Sequence, residues 1–148
     1  MKKFIYFSLL VFSLFSCEKT ETQLEIDEQI IKEYIAKNQI DAIRHESGMY
    51  YLITKEGTGD SPNINSIIQV NYKGYLCDGT VFDETSGTPY SSPLYKLILG
   101  WQIGIPMLTK GGEGTFFIPS ELAYGNRVAG IIPANSVLIF EIELVDFH

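Results

Sequence analysis

The chain is poor in the residues that carry covalent or metal chemistry. It has two cysteines, two histidines and one tryptophan in 148 residues. Two cysteines exclude a disulfide framework. His45 and His148 stand far apart, at region edges, and suggest no metal site. Basic residues number 11 against 18 acidic ones, for a formal charge of −7. That balance argues against a nucleic-acid-binding face, which needs clustered Lys and Arg. No Gly-x-Ser-x-Gly elbow is present, which disfavours a hydrolase of that kind. Internal repeats and low-complexity tracts are missing as well. The one long apolar run, Phe4 to Phe15, falls short of the ~20 residues of a membrane span.

That run has a different look. Lys2-Lys3 precede it and Leu14-Phe15-Ser16-Cys17 follow it. A basic start, a short apolar stretch and a small residue before a cysteine resemble a bacterial lipoprotein signal, cleaved before Cys17 and lipidated on its sulfur. The alternative is an ordinary signal peptide with an incidental cysteine. Removing Lys2 and Lys3 makes the mature chain more acidic still. Two or more acyl chains hold a protein stably on a membrane. The expected location is therefore the bacterial cell envelope, lipid-anchored, on the periplasmic or outer-membrane side. With Cys17 acylated, Cys77 has no intramolecular partner and reads as an incidental strand residue. The expected division is a signal over residues 1–16, a tether and N-terminal helix over 17–46, and one folded domain over 47–148.

Glu18 to Thr22 is polar and reads as tether. Thr22-Gln23-Leu24-Glu25 is a capping box. Leu24, Ile30-Ile31 and Tyr34-Ile35 then recur at helical spacing, with Asn38 as a stop. A helix of about fifteen residues is marginal alone in water, so it either docks on the domain, serves as a spacer, or acts as a short dimerisation arm. From Gly48 the pattern becomes β-like: Met49 to Thr54, Ile67 to Tyr75, Val81 to Asp83, Thr115 to Ile118 and Val137 to Phe147. Asp78-Gly79 signals a tight hairpin. Thr85 to Pro93 reads as a loop, and Gly100 to Gly104 as a short helix. Many strands around one short helix predict an α+β fold. Its expected form is a curved antiparallel half-barrel wrapped around that helix and preceded by the N-terminal one.

Six aromatic residues fall in these short, glycine-punctuated segments: Tyr72, Phe82, Tyr90, Trp101, Tyr124 and Phe140, with Ile98, Ile131 and Ile132 among them. No nucleophile–base pair accompanies them. An apolar bowl of this kind accepts a flat or ring-shaped apolar group and has little with which to break a bond. Taken singly, a Trp or Phe in a β-rich domain is more often plain core, Tyr124 could be a turn aromatic, and Asp83 a solvated or capping carboxylate.

Order and spacing of the whole set change that weighting. Val70-Asn71-Tyr72-Lys73-Gly74, Asp78 to Asp83, Gly100-Trp101, Ile118 to Gly125, Gly130 to Asn135 and Leu138 to Leu144 resemble, in sequence order, the FK506-binding-protein (FKBP) family of peptidyl-prolyl cis/trans isomerases. The resemblance runs from about Ser47 to Phe147. It implies Trp101 as the floor under a proline ring, Tyr72, Phe82, Tyr90 and Phe140 as walls, and Leu97 and Ile98 beside the floor. It further implies that the Ile98 N–H and the Tyr124 hydroxyl donate to substrate carbonyls and that Asp83 orients groups near the carbonyl end. Ile131 and Ile132 would line a flap. Implied partners are proline-containing exported polypeptides and a macrolide ligand, with the protein a monomer and no cofactor. The competing function is a proline-binding, chaperone-like or gliding-type cell-surface lipoprotein with little turnover. Two departures stand out: Ser92 falls where many relatives carry an aromatic, and Glu84 to Gly87 lacks a basic residue to pair with Asp83.

Overall fold

A computed structural model of the chain describes residues 20–148. The expected signal segment and Cys17 lie outside the described residues. The first helix, α1, spans Gln23–Asn38. Thr22 caps it as the sequence predicts: its Oγ1 accepts from the Glu25 N–H and the Glu25 carboxylate accepts from the Thr22 N–H at 2.8 Å. The stop falls one residue later than expected, on Gln39, which takes a left-handed conformation at φ 55°.

Seven strands follow among the described residues: β1 (Ile43–Arg44), β2 (Tyr50–Lys55), β3 (Ile67–Leu76), β4 (Val81–Glu84), β5 (Tyr90–Pro93), β6 (Glu113–Ile118) and β7 (Leu138–Phe147). They form one antiparallel sheet in the order β1-β2-β6-β7-β3-β4, with β5 also on β3. β3 pairs with β7 along its length on one edge. Its other edge is shared between β5, opposite residues 67–70, and β4, opposite residues 73–75. The strand β5 corrects the expectation of a loop from Thr85 to Pro93. Tyr90-Ser91-Ser92-Pro93 is weak in strand formers, but an edge position that ends on proline tolerates this composition. Cys77 also differs from expectation, since it lies in the turn after β3 rather than within a strand.

Alternation along β6 and β7 sorts the core onto two faces. Phe116, Ile118, Leu138, Phe140 and Ile142 belong to one buried cluster. Phe117 and Ile139 belong to the other, with Tyr50 and Ile31. The short helix α2 (Leu99–Gly104) lies against the first face. A Cβ on Gly100 would sit 2.5 Å from the Ile118 side chain, and one on Gly104 would sit 2.7 Å from the Phe116 ring. Those two glycines let α2 approach the sheet closely enough to bury Trp101. On the opposite face α1 covers the sheet through Ile31, Tyr34 and Ile35. The expected α+β arrangement, a sheet wrapped on a short helix after an N-terminal helix, is the one observed.

Candidate functional site

Several segments converge on one cavity of about 690 Å³ beside α2. That is within the ~300–1,000 Å³ range of small-molecule sites. β3 contributes Tyr72, β4 Phe82 and Asp83, β5 Tyr90, and β7 Phe140. The segment leading into α2 contributes Lys96, Leu97, Ile98 and Trp101. The chain between β6 and β7 contributes Tyr124, Ala129, Gly130, Ile131 and Ile132.

Trp101 lies at the bottom. It is 5 % exposed yet borders the cavity. Tyr72 meets its ring nearly edge-on at 5.0 Å and 80°, and Phe140 does so at 5.2 Å and 86°. Phe82 packs on Phe140 at 5.4 Å and 79°, and Tyr90 on Tyr72 at 6.0 Å and 76°. Each such pair adds about 0.5–1.5 kcal/mol beyond simple burial. The rings therefore brace one another, so the cavity does not need a ligand to keep its shape. Gly74 makes this possible. It faces Phe140 in the β3–β7 register, and a Cβ there would lie 2.5 Å from the Phe82 ring and 2.7 Å from that of Phe140.

Polar groups are few. The Tyr72 hydroxyl donates to Asp83 Oδ2 at 2.5 Å. Burial first, and that hydrogen bond second, push the Tyr72 phenol well above its ordinary range. The Tyr72 hydroxyl thus holds the Asp83 carboxylate at the cavity edge. Among the described residues, Trp101 Nε1 is the buried side-chain polar atom left without a hydrogen-bond partner. The Ile98 carbonyl starts α2 by accepting from Trp101 and Gln102 N–H groups at 2.9 and 3.1 Å. Gln102 Nε2 donates to the Leu97 carbonyl at 2.7 Å, which holds the approach to α2 in place.

Every residue expected in the bowl borders this cavity: Tyr72, Phe82, Asp83, Tyr90, Leu97, Ile98, Trp101, Tyr124, Ile131, Ile132 and Phe140. Ile131 and Ile132 differ in kind. Ile132 is buried and bridges back to Ala129, whereas Ile131 is 63 % exposed at the rim. Ser92 does not line the cavity, and Tyr90, two residues earlier, supplies that wall. Lys96, Ala129 and Gly130 were not anticipated. Among the described residues, Lys96 is the one cationic residue lining the cavity, and no motif marks it.

The comparisons agree with this geometry. The sequence model of the FKBP-type peptidyl-prolyl cis-trans isomerases matches residues 59–145. The FKBP-type isomerase FkpA of Aeromonas hydrophila is 43 % identical over 118 residues, covering 77 % of this chain and 44 % of the relative. The crystal structure of FkpA from Escherichia coli superposes with a TM-score of 0.73 at 35 % identity, covering 84 % of this chain and 62 % of that one. A peptidyl-prolyl cis-trans isomerase from Pseudomonas syringae superposes at 0.71 and 30 % identity, covering 87 % of this chain and 98 % of that one. The chain spans under half the length of the curated relatives it matches. A ring-braced cavity with Trp101 at its base, on a sheet wrapped around α2, is matched by a family model over more than half the sequence: the chain belongs to the FKBP-type peptidyl-prolyl cis-trans isomerase family.

Proposed function

We propose that the protein catalyses cis/trans rotation of X-Pro peptide bonds in exported polypeptides, and that the Trp101 cavity is where it does so. The observation that carries this is the open, ring-braced cavity with an indole at its base and one oriented carboxylate at its edge. Rotation about an amide C–N bond is slow because conjugation must be broken, at a cost of ~18–20 kcal/mol. X-Pro bonds consequently isomerise over tens to hundreds of seconds. Midway through rotation the amide is twisted, its nitrogen is pyramidal and its carbonyl is less polarised. Water stabilises the polar planar form; an apolar cavity does not. Transfer into the cavity therefore raises the planar form relative to the twisted one. A 10⁴-fold acceleration requires ~5–6 kcal/mol. No σ bond breaks, so no proton transfer is needed.

In this mechanism the proline ring rests on Trp101 between Tyr72, Phe82 and Phe140, with Tyr90, Leu97 and Ile98 beside it. The Ile98 N–H and the Tyr124 hydroxyl donate to substrate carbonyls. Asp83, held by Tyr72, faces the carbonyl end, and Ile131 and Ile132 close over the ring. The family match favours this over a proline-binding module with little turnover. A protease-coupled or proline-limited refolding assay on the purified protein tests it. Acceleration that is lost in Trp101→Leu supports the proposal, and a rate equal to background from folded protein rejects it.

The working form is a monomer divided at residues 16 and 46, anchored in the cell envelope by lipid on Cys17, and able to take a macrolide in the same cavity. The sequence around Cys17 supports the anchor. Metabolic labelling with a palmitate analogue checks it: label in wild type and none in Cys17→Ser is the expected result. Calorimetry with a macrolide of the type the family binds checks the ligand.

A further inference from the structure

Asp27 is a carboxylate in the wrong place for stability alone. It lies on α1 at 0 % exposure, on the side of the sheet away from the cavity. Burying a charge is costly unless it is well hydrogen-bonded, and a leucine would pack there without that cost. Its partners are specific. Asp27 Oδ2 accepts from the Ser120 N–H at 2.7 Å and from Ser120 Oγ at 2.6 Å, and Oδ1 accepts from Gln23 Nε2 at 2.7 Å.

Ser120 is itself 1 % exposed and faces two ways. Its N–H and hydroxyl go to Asp27. Its carbonyl accepts from the Ala123 N–H at 2.9 Å and the Gly125 N–H at 2.8 Å. Those are the two residues flanking Tyr124. The Gly125 carbonyl in turn accepts from the Asn135 N–H at 2.8 Å, which ties the turn to the far end of the flap segment. The Tyr124 side chain is 38 % exposed at the cavity rim. Side-chain packing holds it weakly, so its place depends on the backbone of this turn.

We infer that Asp27 is a positioning residue for the cavity: through Ser120 it fixes the turn that carries Tyr124, and α1 is thereby part of the site's framework rather than a spacer. This rests on the isomerase reading above for its activity arm only. Asp27→Asn should preserve the arrangement. An amide oxygen can accept both Ser120 bonds, and the Gln23 side chain can turn its own oxygen toward the new NH₂ group. Asp27→Ala removes all of the bonds.

The test is a double-mutant cycle on the full chain, read by kcat/KM on a proline peptide, with Tyr124→Phe as the second variant. Asp27→Ala is expected to lower kcat/KM about fivefold in the wild-type background and less than about twofold in Tyr124→Phe, since contacts acting through one group do not add. Asp27→Asn should restore the rate to within about twofold of wild type by the same coupling logic. Equal losses in both backgrounds would mean a merely structural role and overturn the inference. A second readout needs no turnover: in protein labelled with fluorotyrosine, the Tyr124 fluorine resonance, assigned by its loss in Tyr124→Phe, should shift in Asp27→Ala and return in Asp27→Asn. An unmoved resonance overturns the inference even if the enzyme proves inactive, and an inactive wild type with a shifting resonance rejects the isomerase reading alone. If Asp27→Ala does not fold, Ser120→Ala, which removes only the hydroxyl bond, carries the same cycle with a smaller expected shift.

Discussion

On the α2 face of the sheet, Phe116 packs in the core beside α2, while Phe140 stands beside Trp101 and Tyr72 and these three rings border a cavity. One residue along each strand, Phe117 and Ile139 point the other way and lie under Ile31 of α1 with no such opening. The residue types are nearly the same. What differs is the cover. α1 is amphipathic, capped and long enough to lay Ile31, Tyr34 and Ile35 across the sheet. Its polar groups are also paired: Asp27 with Ser120, and Glu28 with Arg44, Lys32 and Tyr50. The helix α2 has six residues and sits deep, so rings from β3, β4, β5 and β7 surround one end of it without covering it. A sheet of fixed pleat thus yields a sealed core on one face and a site on the other according to the helix laid on each.

Four substitutions would sharpen that contrast. The largest expected effect on stability is on the sealed face. Ile31→Ala removes a fully buried side chain and should cost about 2–5 kcal/mol. At temperatures where the variant stays folded with α1 docked, kcat/KM should hold near wild type; urea unfolding beside an isomerase assay checks both. Gly74→Ala acts on the open face. The added Cβ collides with Phe82 and Phe140, so the rings must move. We expect about 1–3 kcal/mol of destabilisation, as for other overpacked sites, together with a fall in kcat/KM of at least about tenfold, equivalent to ~1.4 kcal/mol in the barrier. A Gly74→Ala protein that isomerises normally would break the link between the close approach at β3 and the site.

Tyr72→Phe removes one hydrogen bond and leaves the ring. Its expected cost is about 1 kcal/mol, seen as a few-fold loss in kcat/KM. Asp83→Asn should lose no more than this if the two act as a pair. The phenol's ionisation is displaced upward, so the Tyr72–Asp83 bond should persist as pH rises through 10, where an ordinary tyrosine loses its proton. Its contribution is complete below the ordinary value and is lost only when pH passes the raised one. The ratio of kcat/KM between wild type and Tyr72→Phe should therefore stay constant to pH 10.

The sealed face responds at the other end of the scale. Hydrogen bonds from Arg44 and then Lys32 lower the Glu28 carboxyl from 4.5 to about 2. A lowered value stabilises the fold above the unfolded value and is lost as pH falls. Between about pH 4.5 and 2, α1 should loosen before the sheet core does. These charges lie near solvent, so screening keeps their contribution small. Hydrogen exchange at α1 amides, compared with those of β7, follows the loss.

Much of this was legible in the sequence because it is local or periodic. The Thr22–Glu25 box, the Asp78-Gly79 turn and the alternation through Leu138 to Leu144 each announce themselves within a few residues. The bowl was legible as an ordered set of aromatic positions, although each one alone reads as core. What escaped is what depends on tertiary pairing. β5 is an edge strand whose partner, residues 67–70 of β3, lies 20 to 26 residues earlier, and its Ser and Pro give no strand signal. The Asp27–Ser120 link joins residues 93 apart. In the sequence Asp27 looks like any acidic residue on the polar side of a helix. Lys96 reaches the cavity because the 3-10 turn Leu94–Lys96 bends there, which no spacing foretells.

The most direct measurement compares the rate of proline isomerisation in wild type and Trp101→Leu, both confirmed folded by their far-ultraviolet dichroism. The account predicts clear acceleration by wild type and a loss of at least about thirtyfold in kcat/KM in the variant, equivalent to ~2 kcal/mol of barrier lowering at the cavity floor. Equal acceleration by the two proteins would show that the indole has no part in turnover and would contradict the account.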